Sequence, residues 1–311
     1  MGGSEPIRAP EPASSVPPIV RRLLGAALVR HRTAYGLTGD DVVRAGAVSS
    51  PAKLSRIENG ASNVRFSEDD IRRMLDLYEV PREGEEYRSV MMRAQLVLDT
   101  ERPWWWRHKG VVAAAFSDLL HVEGRASEIQ TYEGNYVPGL LQTTAYMNAV
   151  FEVPKLDEAG NRTELEQRRD VRKQRQQLLE RTDPPEFTAL IDEALLRRPF
   201  GGPAVMREQL RYLFSLCENR DRVHIRVFPT SAWGICPPLT TAMTLLKLPE
   251  AEGPSEMLYV EAANVTAVWV EERLRLEEHR ASLHGVRQHA LGKADTLRFL
   301  QARIDDLVDQ S

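Results

Sequence analysis

Apolar residues in the first part of the chain recur at helical spacing. One helix side is predicted from Leu24, Ala27, Leu28 and His31, which are three and four residues apart. Thr38 is the expected N-cap of a second helix, whose first turn carries two aspartates where negative charge is favourable. Ser50 followed by proline predicts the start of a third, short helix, and Asn59-Gly60 predicts its end. Residues 24–60 are therefore predicted to form three helices in succession.

The third predicted helix divides into a buried and an exposed side. Leu54 and Ile57 are three residues apart and are expected to pack inward. A helix of this kind fits the major groove of DNA, where its N-terminal outward side chains reach base edges. Lys53 and Arg56 can donate hydrogen bonds to guanine or to phosphate, and they are expected to supply much of the discrimination between base pairs. The complete set of predicted DNA-binding residues is Thr38, Ser49, Ser50, Ala52, Lys53, Ser55, Arg56, Asn59, Arg30 and Arg65.

The charge of this region differs in sign from that of the whole chain. Residues 20–65 contain eight Lys or Arg and three Asp or Glu, a local balance of 8 − 3 = +5, whereas the 311-residue chain carries −4. Segregated positive charge of this kind is typical of a surface that binds the phosphates of nucleic acid. The alternative is an ordinary solvated helical hairpin with charged faces.

Two further helices are predicted to complete the first domain. Ser67 and Asp70 have the spacing of a capping box at the start of a fourth helix, and a fifth helix is predicted after Pro81. The N-terminal residues are rich in Pro, Ser, Gly and Ala, which predicts a disordered tail. The predicted division is a tail at 1–18, an all-α five-helix helix-turn-helix domain at 19–100, and a second domain at 101–311.

The second domain is predicted to be α+β, with a mainly antiparallel sheet flanked by helices. Residues 116–150 and 161–182 have helical patterns, and Pro138-Gly139 is the expected start of one of these helices. Basic residues between Arg168 and Arg175 alternate with acidic ones, which favours a solvated helix face over a second nucleic-acid patch. Strands are predicted at 187–192, 223–227, 242–248, 257–261 and 265–270, and further helices at 206–217, 274–291 and 294–307.

Two groups of motifs resemble known families. The string LSRIENG at residues 54–60, after a capped helix and a corner of small residues, resembles the phage-repressor-type helix-turn-helix (the xenobiotic-response-element, or Cro/C1-like, family). Gly39 stands where that family usually has a phosphate-contacting glutamine. The strings YVPGLLQT, RRDVRKQRQQLL, IDEALLRR, MREQLRYL, VHIRVFP and MLYVE, in this order, are similar to the domain of unknown function of actinobacterial regulators, some of them called Scr1-type and toxin–antitoxin-like. The resemblance implies a transcription factor, often encoded beside a small partner protein, without established catalytic residues.

The sequence contains few signals of catalysis or of bound groups. It has no glycine-rich phosphate loop, no Gly-x-Ser-x-Gly elbow and no zincin motif, so we expect no enzyme activity and assign no catalytic residues. The two cysteines match no zinc pattern, and three histidines five residues apart lack the usual metal spacing, so no metal or cofactor is expected. No stretch approaches the roughly 20 apolar residues of a membrane span. A cytoplasmic protein that does not contact the membrane is expected.

Four aromatic residues of the second domain are the candidates for an apolar ligand site, with core packing as the alternative: Trp106, Phe228, Trp233 and Trp269. The resulting hypothesis is a transcriptional regulator that binds a pseudo-palindromic operator in double-stranded DNA as a homodimer. Its C-terminal domain would dimerise and sense a small-molecule ligand or a small partner protein. The alternative is an antitoxin-like module that captures a small protein encoded next to it and autoregulates its operon.

Overall fold

The structure is a computed structural model that describes residues 18–61, 63–98, 104–108, 112, 114–152, 162–235, 239, 241–248, 256–262, 266–270 and 273–307. The chain divides into two compact units, residues 1–106 and 107–311. The division falls after Trp106 rather than after residue 100 as in the predicted domains. The predicted tail lies outside the described residues except for Pro18, which begins the first helix.

The first unit is made of the five helices that the sequence predicts. They are α1 (Pro18–Ala34), α2 (Gly39–Arg44), α3 (Pro51–Glu58), α4 (Glu68–Leu77) and α5 (Glu85–Leu98). The predicted N-caps Thr38, Ser50 and Ser67 are confirmed, and each side-chain oxygen accepts a hydrogen bond from a backbone N–H of its helix. The predicted inward residues Leu24, Ala27, Leu28, Leu54 and Ile57 are at most 2% exposed, and Ile71, Met74 and Leu75 of α4 are fully buried beside them.

The second unit combines a six-stranded sheet with helices on both faces. Its helices are α6 (Ala114–Glu123), α7 (Thr144–Glu152), α8 (Arg162–Gln176), α9 (Glu193–Arg197), α10 (Pro203–Asn219), α11 (Arg273–His289) and α12 (Lys293–Asp306). The strands are β1 (Glu128–Glu133), β2 (Glu186–Asp192), β3 (Val223–Phe228), β4 (Met243–Lys247), β5 (Glu256–Ala262) and β6 (Thr266–Val270). Short 3₁₀ turns lie at Trp104–His108, Gly139–Leu141, Gln177–Glu180 and Thr230–Ala232.

The sheet is mixed, with strand order β3-β2-β1-β4-β5-β6. β1 pairs with β2, and β2 with β3, in parallel. The pairs β1–β4, β4–β5 and β5–β6 are antiparallel. The predicted sheet, mainly antiparallel, is therefore mostly right, and the parallel pairs join strands separated by helical crossovers, as parallel connections require.

The central strand β1 corrects the helical prediction for residues 116–150. β1 is covered on both faces, and its buried positions include the polar residues Gln130 and Thr131. A strand of this kind lacks the alternation of apolar and polar residues that marks a half-exposed strand. The helix expected to start at Pro138-Gly139 is also displaced, because that pair forms a 3₁₀ turn and α7 begins at Thr144.

The two faces of the sheet have different chemistry. One face packs against α11 in a hydrophobic core that includes Tyr132, Leu190 and Phe228 of the sheet and Leu283 and Val286 of the helix. The other face lies under α6, α7 and α8 and encloses a cavity lined by both polar and apolar side chains. None of the helices in the described part of the chain is both long and apolar enough to cross a membrane.

Candidate functional site

The third helix of the first unit is defined at both ends by its own sequence. The Ser50 side chain accepts a hydrogen bond from the backbone N–H of Lys53 at 3.2 Å, and Pro51 occupies the first turn, where its missing N–H costs nothing. Beyond the C-cap Asn59, Gly60 adopts a left-handed backbone with φ of 66°. The helix is therefore only eight residues long and has a fixed start and a fixed end.

The connection from α2 to α3 is a tight corner. Gly46 has a φ of 75°, a backbone conformation that side chains rarely adopt. Ala47 and Val48 follow it and are buried, so the corner is anchored to the helical core. At the other end of α2, Thr38 and Asp41 form a reciprocal capping box. The angle between α2 and α3 is thus set by packed residues rather than by an open loop.

Helix α1 packs closely against the C-terminal end of α3. A Cβ atom on Gly25 would lie 2.1 Å from the backbone oxygen of Glu58 and 2.8 Å from that of Ile57, so only glycine permits this approach. Arg32 of α1 adds a bidentate ion pair, donating from Nε and Nη2 to the two carboxylate oxygens of Glu58 at 2.6 and 3.1 Å. These contacts hold α3 in place from its inner side.

The outer side of α3 presents a continuous polar surface. Ala52, Ser55, Arg56 and Asn59 are exposed, at the spacing of one helix face. Asn59 donates from Nδ2 to Oγ of Ser55 at 3.2 Å. Arg56 makes no ion pair with any described residue, so its guanidinium is available to a ligand. We name these four side chains the α3 outer face.

Lys53 is placed differently from the sequence expectation. Its ammonium lies 2.8 Å from Oδ2 of Asp70 at the start of α4, and its side chain is only 24% exposed. The α3 outer face therefore includes Arg56 but not the Lys53 ammonium, which this ion pair directs toward α4. Burial raises the pKa of Asp70, but hydrogen bonds from Lys53 and from the Ser67 backbone outweigh it and lower the pKa overall.

The remaining predicted DNA-binding residues lie around α3 with different partners. Ser49 and Arg65 are exposed. The exposed Thr38 hydroxyl is engaged with Asp41 at 2.6 Å. Arg30 is exposed but donates to Glu86 at 2.8 Å. Arg65 is therefore the clearest flanking group for a phosphate, whereas Arg30 would have to leave Glu86 to reach one.

The cavity of the second unit has a volume of about 410 Å³. Its floor is the sheet: Thr131 on β1, Thr244 on β4 and Tyr259 on β5 are neighbours in one cross-strand row and line the cavity. Its walls come from α6, α7, α8 and the segment that leads into α7. This volume lies in the range of small-molecule sites, roughly 300–1,000 Å³.

Helix α8 lines the cavity with one face, formed by Arg168, Val171, Arg172 and Arg175. Arg175 forms a bidentate pair with Glu123 at 2.6 and 2.8 Å, in which the two side chains are 12% and 2% exposed. Arg172 donates from Nη1 to the Gln142 side-chain oxygen at 2.6 Å and makes no ion pair with any described residue. Burial and the neighbouring Arg175 lower the pKa of Arg172 to about 10, so it remains charged near neutral pH.

Aromatic rings and a second pair of acidic groups complete the cavity. The guanidinium carbons of Arg172 and Arg175 each lie 5.2 Å from the ring centroid of a phenylalanine, Phe151 and Phe116 respectively. Glu133 on β1 and Glu261 on β5 also line it. Burial, together with the charge of Glu261, raises the pKa of Glu133 well above its usual value, so the structure favours the neutral acid at this position.

The aromatic residues proposed from the sequence do not line this cavity. Phe228 is buried in the core on the opposite face of the sheet. Trp233 is 48% exposed and donates from Nε1 to Asp192 at 3.0 Å. Trp269 is buried with its ring centroid 5.3 Å from that of Tyr259 and lies behind a lining residue. The side chain of Trp106 lies outside the described part of the structure.

One feature of the sequence, the position of Val171 among the charged residues of α8, indicates which side of this helix faces the cavity. Val171 is 3% exposed, Arg168 and Arg175 lie three and four residues from it, and Arg172 follows it directly on the same side of the helix. A buried valine on a highly charged helix indicates which side faces the domain. The arginines beside Val171 are therefore the ones to expect inside, against the interpretation of 168–175 as a solvated face.

Comparison with known proteins gives one family match for each unit. A model of a domain of unknown function (DUF5753) matches residues 116–302, and a model of a helix-turn-helix domain matches residues 23–86. No curated protein and no solved structure matches the chain. The second match covers α1 to α4 and the start of α5, so the first unit is a helix-turn-helix DNA-binding domain.

Proposed function

The chain belongs to the family that carries the domain of unknown function DUF5753, and from that premise we propose that it is a sequence-specific transcriptional regulator of the repressor type. The α3 outer face reads base edges in the major groove, and the DUF5753 domain dimerises the protein and senses a small molecule. The main observation behind the proposal is the α3 outer face, which consists of four exposed side chains on a capped helix. The same helix is fixed to α1 by the Arg32–Glu58 ion pair and to α4 by the Lys53–Asp70 ion pair.

The α3 outer face supplies the groups that base recognition needs. Arg56 can donate a bidentate hydrogen bond to O6 and N7 of guanine, the commonest specific contact in the major groove. Ser55 and Asn59 can both donate and accept, and Ala52 can contact a thymine methyl group. Arg56 is therefore the main determinant of sequence discrimination in the proposal.

Lys53 takes a positioning role in the proposal instead of contacting bases. Its ion pair with Asp70 fixes α3 against the first turn of α4, as Arg32 and Glu58 fix it against α1. Arg65 and backbone N–H groups near the start of the helices are the proposed phosphate contacts, which supply affinity without sequence information.

The proposed dimerisation is based on the short length of α3. One helix of eight residues covers only a few base pairs, whereas two helices about 34 Å apart can read a pseudo-palindrome in successive major grooves. The second unit, which holds the larger part of the chain, is the proposed source of the dimer contacts. The cavity supports a small molecule as the signal, because its volume of about 410 Å³ suits a small-molecule ligand, and the antitoxin-like capture of a small partner protein is the alternative.

The proposal is tested by footprinting the full chain on the promoter of its own gene. We expect two protected half-sites whose centres are roughly 10 base pairs apart. The affinity for the promoter fragment should exceed the affinity for a scrambled fragment by about 10³-fold or more at physiological salt. Sedimentation of the same protein should give a dimer. Equal binding to promoter and scrambled DNA over several salt concentrations would contradict sequence-specific regulation.

A further inference from the structure

We infer that the cavity of the second unit binds a small organic monoanion, a carboxylate with an apolar or aromatic body, whose carboxylate pairs with Arg172. This inference deepens the sensing role in the proposed function and rests on it for its biological meaning. It depends on three features of the cavity, namely a guanidinium that makes no ion pair, the apolar side chains of its walls and the Glu133 carboxyl group in its lining.

Of the three arginines that line the cavity, Arg172 makes no ion pair with a described residue, and the charge of Glu261 acts on it only at longer range. Arg175 is neutralised by the bidentate pair with Glu123, and Arg168 pairs with Glu164 on the exposed side of α8. Arg172 is held by the neutral amide of Gln142 and by a phenylalanine ring. A desolvated charge without an ion-pair partner is costly, and a carboxylate from a ligand would reduce that cost with a bidentate hydrogen bond.

The charges that line the cavity favour a single negative charge on the ligand. One carboxylate matches the one cavity guanidinium that makes no ion pair with a described residue, whereas a phosphate monoester carries nearly two charges. The exposed Glu261 at the edge of the cavity would add repulsion against a second negative charge. The site therefore suits a monoanion rather than a phosphorylated compound.

The walls provide space for an apolar body beside the carboxylate. Phe116, Leu119, Val150 and Phe151 from α6 and α7 line one side, and Ile129 of β1 lies on the floor. Aromatic and aliphatic side chains of this kind contact the body of a small-molecule ligand, while polar groups fix its orientation. Glu133, when neutral, can donate a hydrogen bond to a second polar group of the ligand.

Gly139 adds a geometric reason why the guanidinium groups are held at this position. A Cβ atom at residue 139 would lie 2.9 Å from Nη1 of both Arg172 and Arg175. The absence of a side chain at Gly139 therefore leaves the room that these two groups occupy beside the cavity. The close approach of one backbone segment to two arginines is a built feature of the site.

The experiment uses phenylbutyrate and its neutral isostere phenylbutyramide as probes of the purified full-length protein. Binding is measured by isothermal titration calorimetry in the absence of DNA. We expect the acid to bind about tenfold or more tightly than the amide, as one charge-assisted hydrogen-bonded pair would give. Absence of binding by the acid, or equal affinities for the two probes, would overturn the inference.

Two variants locate the bound carboxylate. Arg172→Gln should bring the affinity of the acid down to within about twofold of the amide's. The matched change Lys173→Gln, at the neighbouring exposed position of α8 that does not line the cavity, should leave the preference for the acid unchanged. A preference that survives Arg172→Gln would overturn the assignment to Arg172.

Folding and the DNA-binding proposal are checked separately. The wild-type comparison of acid and amide needs no variant, so it remains decisive even if Arg172→Gln is unstable. Operator binding without ligand is measured in a parallel titration. A protein that binds the operator but shows no preference for the acid would overturn this inference alone, whereas a protein that prefers the acid but binds DNA without specificity would overturn the proposed function alone.

Discussion

The ammonium of Lys53 on α3 lies 2.8 Å from Oδ2 of Asp70, the residue whose carboxylate also completes the capping box of α4. The carboxylate of Asp70 thus caps the start of α4 and also binds α3 through Lys53. The Ser67 backbone N–H donates to the same oxygen at 2.9 Å, and Arg73 donates to Oδ1 at 2.6 Å. These contacts therefore contribute to the stability of the first unit and also fix the position of the α3 outer face.

We therefore predict that Lys53→Met lowers stability more than it changes sequence preference. The variant keeps the apolar stem but leaves Asp70, which is 7% exposed, without its ammonium partner. The expected loss is about 1–3 kcal/mol in the free energy of unfolding, measured by urea denaturation. Arg73→Met is the matched control, because its guanidinium is 54% exposed and its loss should cost under about 1 kcal/mol. Equal losses for the two variants would contradict the prediction.

Acid should destabilise the same junction. The pKa of Asp70 is lowered in the folded protein, so its contribution is present above the unfolded pKa and is lost as the pH falls through the lowered folded value. We expect the temperature of thermal unfolding to decrease when the pH is lowered below about 4. Part of that decrease comes from protonation of Asp70 and should be absent in Asp70→Asn. An unchanged acid profile in Asp70→Asn would show that other carboxylates account for the fall.

The contact between α1 and α3 gives a prediction about glycine. Gly25→Ala places a methyl group against backbone atoms of Glu58 and Ile57 that cannot move without shifting α3. We expect a loss of about 1–3 kcal/mol or more in the free energy of unfolding. Gly39→Ala is the matched control, because a Cβ there meets only a Leu54 side-chain carbon at 3.5 Å and alanine favours helices. A Gly25→Ala protein as stable as the wild type would contradict the close approach.

The ion pair beneath the cavity gives a prediction for the second unit. Glu123→Gln leaves the guanidinium of Arg175 buried without its carboxylate, at an expected cost of about 3–5 kcal/mol. Glu164→Gln breaks an exposed pair on the same helix and should cost under about 1 kcal/mol. Urea denaturation of the two variants checks the difference. Similar midpoints would show that Arg175 finds another partner among the cavity carboxylates.

The neutral acid in the cavity predicts how ligand affinity depends on pH. Glu133 faces Glu261, Arg172 and Arg175, and burial with the charge of Glu261 raises its pKa in the empty cavity. Binding of phenylbutyrate should therefore weaken as the pH rises through this raised value, because a second negative charge appears beside the bound carboxylate. Glu133→Gln should remove that dependence. A wild-type affinity that rises with pH would contradict the neutral form.

The first unit was predictable because its signals are local. N-caps at Thr38, Ser50 and Ser67 and glycines with positive φ mark helix ends within a few residues of sequence. The role of Lys53 was not predictable, since a lysine three positions after the N-cap Ser50 can point to DNA or to another helix. Only the packing of α4 beside α3, which brings Asp70 close, decides between them.

The fold of the second unit was harder to predict from the sequence because its central strand, β1, buries polar residues. β1 buries Gln130 and Thr131, which removes the alternation that identified β2 and β3. The cavity arginines lie on a helix whose composition is that of a solvent-facing element. Their inward position depends on Glu123 and Gln142, which are 52 and 30 residues away from Arg175 and Arg172 in the chain, a distance that no local pattern spans.

The central claim is that the α3 outer face discriminates between DNA sequences, and Arg56→Ala tests it most directly. Fluorescence anisotropy on the promoter half-site and on variants with each base pair changed gives the specificity at every position. We predict that Arg56→Ala costs about 1–3 kcal/mol and relaxes specificity at one base pair, with unchanged thermal stability. The control Arg82→Ala, beyond the C-terminal end of α4 and paired with Asp76, should keep the wild-type specificity profile. An Arg56→Ala protein with the wild-type profile would contradict the account.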